Sequence, residues 1–328
     1  IVIETIKESL TNKGNPHRGA HRLSTRNADL IEAARANIAR FINCQGSELV
    51  FTSNTTDSIN LAVDALYDAI QPGDEIVISV AEHNSNILPF DKLLKKGVVL
   101  KTVGLKNGLI DIASLKTLLS EKTKIVSLQH CSNVLGSINP VQEIGKILRE
   151  FKSDIVFMLD GAQAIAHVPV DVDALKCDFY SFSGHKMYGP DGIGVLYVRK
   201  QLWPKLKQVR MGGGTVSDLS IVSDYDTDRL IIEKANTLAG LEGGTPNVAN
   251  ILGLSEAVSF MRNLEIAKIR EHELELTKYL IENLEKIEGM QVFGPQEIEH
   301  KIGVVSFNID GIDIQKLEAR FKKKNICI

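Results

Sequence analysis

Between residues 49 and 198 the chain alternates short, continuous apolar runs with amphipathic stretches. The runs are Leu49–Thr52, Glu75–Ser79, Val98–Val103, Lys124–Gln129, Ile155–Leu159, Asp178–Phe182 and Gly192–Val198. Most are β-branched and apolar at successive positions rather than at alternate ones, the pattern of strands covered on both faces. Helical patterns lie between several of them. Asp111 is placed to cap a helix over Ile112–Ser120, and Asn139-Pro140 to open one over Val141–Phe151. Strands alternating with helices predict an α/β fold with a doubly wound, mostly parallel, seven-stranded sheet.

After about residue 246 the texture changes. Val248–Arg262 and Leu264–Glu288 read as long helices, Met290–Phe293 and Ile302–Ile309 as strands, and Asp313–Lys324 as a further helix. The expected division is therefore a large domain over residues 16–246 and a smaller α+β domain over 247–328. Residues 1–15 form an amphipathic N-terminal segment expected to pack with the small domain.

Composition narrows the function classes. The 328 residues carry 38 Lys plus Arg against 41 Asp plus Glu, a net charge of −3, with 44% apolar residues. That balance excludes disorder and gives no basis for binding nucleic acid or a membrane surface. No apolar stretch approaches the roughly 20 residues of a membrane span. Cysteines at 44, 131, 177 and 327 form no CxxC pair, which points to a reducing, cytoplasmic setting and against a metal site. The chain starts at Ile1 and stops in the apolar run Asn325–Ile328, so both ends of the natural protein are expected to lie outside it.

The chemistry concentrates where strands end. The segment from Ser183, SGHKMYGPDGIGVLYVRK, places Lys186 between two buried strands and ahead of Gly189, Gly192 and Gly194. Its glycine spacing matches neither a P-loop nor a dinucleotide fingerprint. A lysine at a strand end can serve as an amine nucleophile toward a carbonyl, although a lone lysine is more often solvated. Asp160 follows the strand Ile155–Leu159, and a carboxylate there needs a cationic partner or a capping role. A reactive lysine and a carboxylate beyond the ends of parallel strands suit pyridoxal phosphate, whose ring nitrogen the carboxylate keeps protonated. Ser53-Asn54-Thr55-Thr56-Asp57, at the start of an apolar helix, suits its phosphate, with Asp57 as the one unfavourable group.

Further motifs stand in order along nearly the whole chain: HRGAHRLS from His17, FTSNTTDSINLA from Phe51, AEHNSNILPF from Ala81, SNVLGSINP from Ser132, LDGAQAIAHVPVDV from Leu159 and EGGTPN from Glu242. With the lysine segment, they resemble the fold-type I, pyridoxal-phosphate-dependent enzymes of the class V aminotransferase superfamily. More narrowly, they resemble the group II cysteine desulfurases, which share their pattern with selenocysteine lyases. The resemblance implies pyridoxal 5'-phosphate as cofactor and Lys186 as the Schiff-base lysine and proton shuttle. It implies that Asp160 pairs with the pyridine nitrogen, that Gln163 bonds the ring hydroxyl, and that His83 stacks on the ring and takes part in acid–base steps. Thr55, Thr56, Ser183 and His185 would hold the phosphate, Asn133 would touch the cofactor or the substrate carboxylate, and His17 and Arg18 would line the substrate entrance. Thr245 would reach the phosphate of a neighbouring subunit, implying a homodimer.

The implied activity converts L-cysteine to L-alanine and passes sulfur to an enzyme thiol, or cleaves L-selenocysteine, within sulfur metabolism and iron–sulfur cluster assembly with a sulfur-acceptor protein as partner. The thiol and the substrate-carboxylate arginine of that family fall in a small-domain loop that has no match here. FKKKNICI, from Phe321, resembles the strand leading into it. Two other readings stand beside this one: a class V aminotransferase or other lyase acting on a small amino acid, and a non-catalytic scaffold that keeps the fold.

Overall fold

The computed structural model describes residues 1–16, 21–224, 227–234 and 237–326. The chain opens with α1 (Val2–Thr11) and α2 (Arg22–Phe41), then β1 (Leu49–Thr52), α3 (Thr55–Leu66), β2 (Glu75–Ser79), α4 (Asp91–Lys95) and β3 (Val99–Val103). A small hairpin, β4 (Leu105–Lys106) and β5 (Leu109–Ile110), precedes α5 (Ile112–Leu118). Next come β6 (Thr123–Gln129), α6 (Val141–Phe151), β7 (Val156–Asp160), α7 (Ala164–His167), β8 (Phe179–Ser183) and β9 (Gly194–Val198).

Seven of these strands form one sheet in the order β1-β9-β8-β7-β6-β2-β3, mixed but mostly parallel. β9 runs antiparallel to both of its neighbours, β1 and β8. Every apolar run expected between residues 49 and 198 is a strand of this sheet, and all but the edge strand β3 are almost wholly buried. In β1, Leu49 and Phe51 join the core under α2 and α6, whereas Val50 joins the core under α3. Asp111 caps α5, its Oδ1 accepting from the N–H groups of Ala113 and Ser114 at 3.0 and 3.3 Å. Pro140 stands at the cap of α6 rather than inside its first turn.

A long ribbon, β10 (Val216–Asp224) and β11 (Thr227–Lys234), was not foreseen from the sequence. Its Leu219, Ile221, Leu230 and Ile232 lie on one face, paired across the strands, and all four are exposed. After it come α8 (Val248–Leu264), α9 (Ile266–Leu284), β12 (Met290–Phe293), β13 (Ser306–Ile309) and α10 (Ile314–Lys323). α1 packs against α8. Glu265, at φ 62°, breaks the chain between α8 and α9, so the second helix starts later than its apolar stripe suggests.

The strand expected over Ile302–Ile309 is shorter. Its first residues turn aside: Ile302 is buried beside Cys131, Ala164 and Val168, and its N–H donates to Gly136 O. Only Ser306–Ile309 then pairs with β12. Among the described residues, no helix is long and apolar enough to cross a membrane, and no group of three or more metal-ligating side chains is present.

Candidate active site

The carboxyl ends of β1, β2, β6, β7 and β8 open on a cavity of about 270 Å³. It is lined by Asn54, Thr55, Thr56, His83, Ser85, Gln129, Cys131, Asn133, Asp160, Ala162, Gln163, Ser183, His185 and Lys186. The structure therefore brings together Thr55, Thr56, His83, Asn133, Asp160, Gln163, Ser183, His185 and Lys186, all chosen from the sequence.

One end of the cavity is a cradle for an anion. The twelve-residue α3 starts at Thr55, so the positive end of its dipole lies at the cavity that Asn54, Thr55 and Thr56 line. The cap is Asn54, whose Oδ1 accepts from Asp57 N at 2.9 Å. Thr55 N donates to Ser183 Oγ at 2.7 Å, and the two hydroxyls lie 2.7 Å apart, tying α3 to the end of β8. Thr56 Oγ1 lies 2.7 Å from Ser85 Oγ. Asp57, the unfavourable group in the sequence, turns away: it accepts from Ser53 N at 2.8 Å and pairs with Arg210 at 2.6 Å. The close approach depends on Gly194, where a Cβ would come within 2.6 Å of Asn54 Cα.

The middle of the cavity is a buried carboxylate. Asp160 ends β7 with 6% exposure, and its Oδ1 accepts from Ala162 N at 2.9 Å. Burial pushes its pKa up, while the Ala162 N–H and the charges of His83 and Lys186 oppose that shift. Beneath it, the buried His130 places Nδ1 3.0 Å from Tyr180 Oη. Burial lowers His130 to a pKa of about 4, so the ring is neutral there. His130 therefore pairs with Tyr180 and not with the adjacent Cys131, which instead lines the cavity.

Above it stand the groups able to do chemistry. Lys186 lies on the turn between β8 and β9, exposed to the cavity. His83 caps a short turn, its Nδ1 accepting from Ser85 N at 3.1 Å. Below His83 is a residue the sequence reading missed. Glu82 is 8% exposed and lies 2.5 Å from Ser79 Oγ through Oε1. Its Oε2 accepts from Asn86 Nδ2 at 2.7 Å, and Asn86 Oδ1 accepts from Ser127 Oγ at 2.6 Å. Burial raises the Glu82 carboxyl to about 7, with the Asp160 charge adding to the rise. Only its place next to His83, after a buried strand, signals it in the sequence.

Some expected residues are elsewhere. Thr245 lines a different cavity, with Lys13, Asn15 and Asn247 among its walls, and is not in this one. His17 and Arg18 lie outside the described residues, as does Cys327. Glu242 of the EGGTPN motif is structural: it takes a two-bond contact from Arg35 at 2.8 and 2.9 Å and accepts from Phe51 N at 2.6 Å.

The arrangement offers an anion cradle, a buried carboxylate for a protonated ring nitrogen, and a primary amine facing both. These are the contacts pyridoxal phosphate needs, so the residues present fit it.

Comparison with known proteins agrees. The family model for class V aminotransferases matches residues 1–328. A probable cysteine desulfurase of Halalkalibacterium halodurans is 41% identical over 302 residues, 91% of this chain and 71% of the relative. A cysteine desulfurase of Dickeya dadantii is 38% identical over 297 residues, 89% of this chain and 69% of the relative. Among solved structures, the apo cysteine desulfurase of Thermococcus onnurineus superposes with a TM-score of 0.91 at 33% identity, covering 99% of this chain and 79% of that one. The chain thus belongs to the class V aminotransferase family and is an enzyme of its pyridoxal-phosphate-dependent kind.

Proposed function

We propose that this chain is a cysteine desulfurase, converting L-cysteine to L-alanine and handing the sulfur to a thiol. The observation that carries the reading is the joint placement of Lys186, Asp160 and the Thr55–Ser183 cradle around one cavity, in a chain whose relatives are cysteine desulfurases.

Bound pyridoxal phosphate supplies an electron sink for the amino acid's Cα bonds. Thr55 and Thr56 at the N-terminus of α3, with Ser183 and His185, would hold its phosphate. Asp160 would accept the ring N–H, and that cation would offset the burial of its carboxylate. Gln163 would bond the ring hydroxyl, and His83 would cover the ring. Lys186 Nζ, the primary amine of the cavity, would hold the cofactor and would move protons at the substrate Cα. Asn133 meets the substrate carboxylate or the cofactor.

The sulfur acceptor is proposed to be a thiol other than Cys44, Cys131 and Cys177. Burial pushes the Cys44 thiol up to about 12 and those of Cys131 and Cys177 higher, whereas a nucleophilic cysteine needs access and a low pKa.

The division at residues 246 and 247 is carried forward as a proposal, as is cytoplasmic work in sulfur supply for iron–sulfur clusters. A homodimer is proposed as well, with Thr245 serving the neighbouring protomer's site. Its support is the exposed apolar ribbon face and the placement of Thr245 in a cavity other than its own chain's active-site cavity. Light scattering at micromolar concentration should give twice the chain mass; a monomer mass refutes the dimer.

The activity is tested by incubating cofactor-loaded protein with L-cysteine and a dithiol and measuring alanine and sulfide. Alanine formed no faster than by Lys186→Ala refutes the function. An absorption band above 400 nm that borohydride does not remove refutes the role of Lys186.

A further inference from the structure

Lys301 is fully buried, yet its two hydrogen-bond acceptors are main-chain carbonyls. Nζ donates to Leu135 O at 3.0 Å and to Phe293 O at 2.9 Å. Phe293 ends β12. Leu135 belongs to the loop after β6 that also carries Asn133. Burial lowers the ammonium's pKa, and no acidic group among the described residues offsets it. A desolvated cation held by carbonyls alone is a costly way to fill space. A methionine would pack the same volume without that cost.

The surroundings show what the cation holds. Lys301 pairs with Ser137 in an isolated antiparallel bridge. Ile138 N donates to His300 O and Ile302 N to Gly136 O, each at 2.8 Å. Ser306 Oγ donates to Val134 O. Residues 300–306 thus grip residues 134–138 along one side, and the Lys301 side chain crosses beneath to reach β12. The backbone closes directly on the ammonium at Gly294 (φ 97°), where a Cβ would meet Leu135 O at 2.4 Å and Lys301 Nζ at 2.6 Å. The loop itself is folded by Ser132 Oγ, which accepts from Val134 N and Leu135 N at 3.2 and 3.0 Å. Those bonds bracket Asn133, which faces the cavity. The phosphate cradle and Asp160, by contrast, rest on α3, β7 and β8 and share no hydrogen bond with this clamp among the described residues.

We infer that Lys301 is a positioning residue for the substrate side of the cavity, fixing the Asn133 loop to the end of β12. The inference rests on the proposed function in one respect: Asn133 is taken to meet the amino-acid substrate. The clamp itself is independent of that reading, so two kinds of readout separate them.

The test compares Lys301→Met, Lys301→Arg and Ser306→Ala with the full-length parent chain. In cofactor-free protein, Lys301→Met should speed hydrogen exchange of the Gly136 and Ile138 amides while those of β7 stay protected. In loaded protein, its KM for L-cysteine should rise about tenfold, with kcat and cofactor affinity each within about threefold. Lys301→Arg, which keeps the charge and the donors, should return KM toward the parent value. Ser306→Ala, which cuts the outer grip, should move exchange and KM in the same direction by less, and it decides the matter if Lys301→Met does not fold. Unchanged exchange in the loop, or an unchanged KM in an active enzyme, overturns the inference. So does a KM rise matched by equal loss of cofactor affinity, which would mark a merely structural role. A parent chain that makes no alanine refutes the functional reading and leaves the exchange result to judge the clamp.

Discussion

Glu82→Gln gives a quantitative test of the electrostatics under the site. The folded carboxyl has a pKa of about 7 against an ordinary value of 4.5. Because the shift is upward, the folded state holds this proton more tightly than the unfolded chain does. The stability it contributes is complete below about pH 4.5 and is lost as pH rises through about 7. About two and a half units at 1.36 kcal/mol each give about 3 kcal/mol between those limits. Glutamine imitates the protonated acid: its oxygen can accept from Asn86 Nδ2 and its amide can donate to Ser79 Oγ. The variant should therefore match the parent near pH 4.5 and exceed it by about 3 kcal/mol at pH 8. Urea unfolding of cofactor-free protein at half-unit steps from pH 4.5 to 8, with the two chains compared at each step, measures this. Asp160 titrates in both chains, so its own effect largely cancels. A parent-minus-variant difference that is flat with pH, or that favours the parent as pH rises, refutes a proton held on Glu82.

Other perturbations bear on the cradle, the thiols and the sheet. Gly194→Ala pushes a Cβ to 2.6 Å from Asn54 Cα, so α3 must shift; affinity for inorganic phosphate and for the cofactor should fall about tenfold, read by isothermal titration. Cys131 and Cys177 should resist iodoacetamide at pH 7.5 in folded protein and react in 6 M guanidinium, followed by mass spectrometry; rapid labelling of either in folded protein contradicts its burial. Arg35→Ala strands Glu242 and removes the donor to Leu49 O. Both partners keep some exposure, so the loss should be about 2 kcal/mol, below that of a fully buried pair, read from the shift in urea midpoint.

The strands of the large sheet were legible because all but the edge strand β3 are contiguous apolar runs buried almost throughout, and their ends then located the site. Asp160 and Ser183 are the last residues of β7 and β8, where a polar residue after a buried run stands out. Glu82 did not stand out, since its significance lies in burial and in partners from β2, β6 and the turn below His83. Lys301 reads as an ordinary polar position before a strand; only the fold shows that its side chain reaches two carbonyls in separate elements. The ribbon at 216–234 was hidden because its apolar residues are interspersed with Asp and Ser and carry no Asn-Gly or Asp-Gly turn. The break at Glu265 is a backbone event, a positive φ at a residue type that rarely adopts one, and no local pattern announces it.

The antiparallel strand β9 has a consequence for the order in which the site assembles. It returns beside β8 through a single connection, pairing Ser183 with Gly194, so the lysine turn is closed by a short loop. The phosphate cradle instead joins residues 128 positions apart, at Thr55 and Ser183. Loop-closure entropy and contact order favour the nearer pairing. In refolding, amides of β8 and β9 should gain protection before those of β1, with pulse-labelled exchange as the check. The amine-bearing turn would then be in place first, and the anion cradle would close around it afterwards.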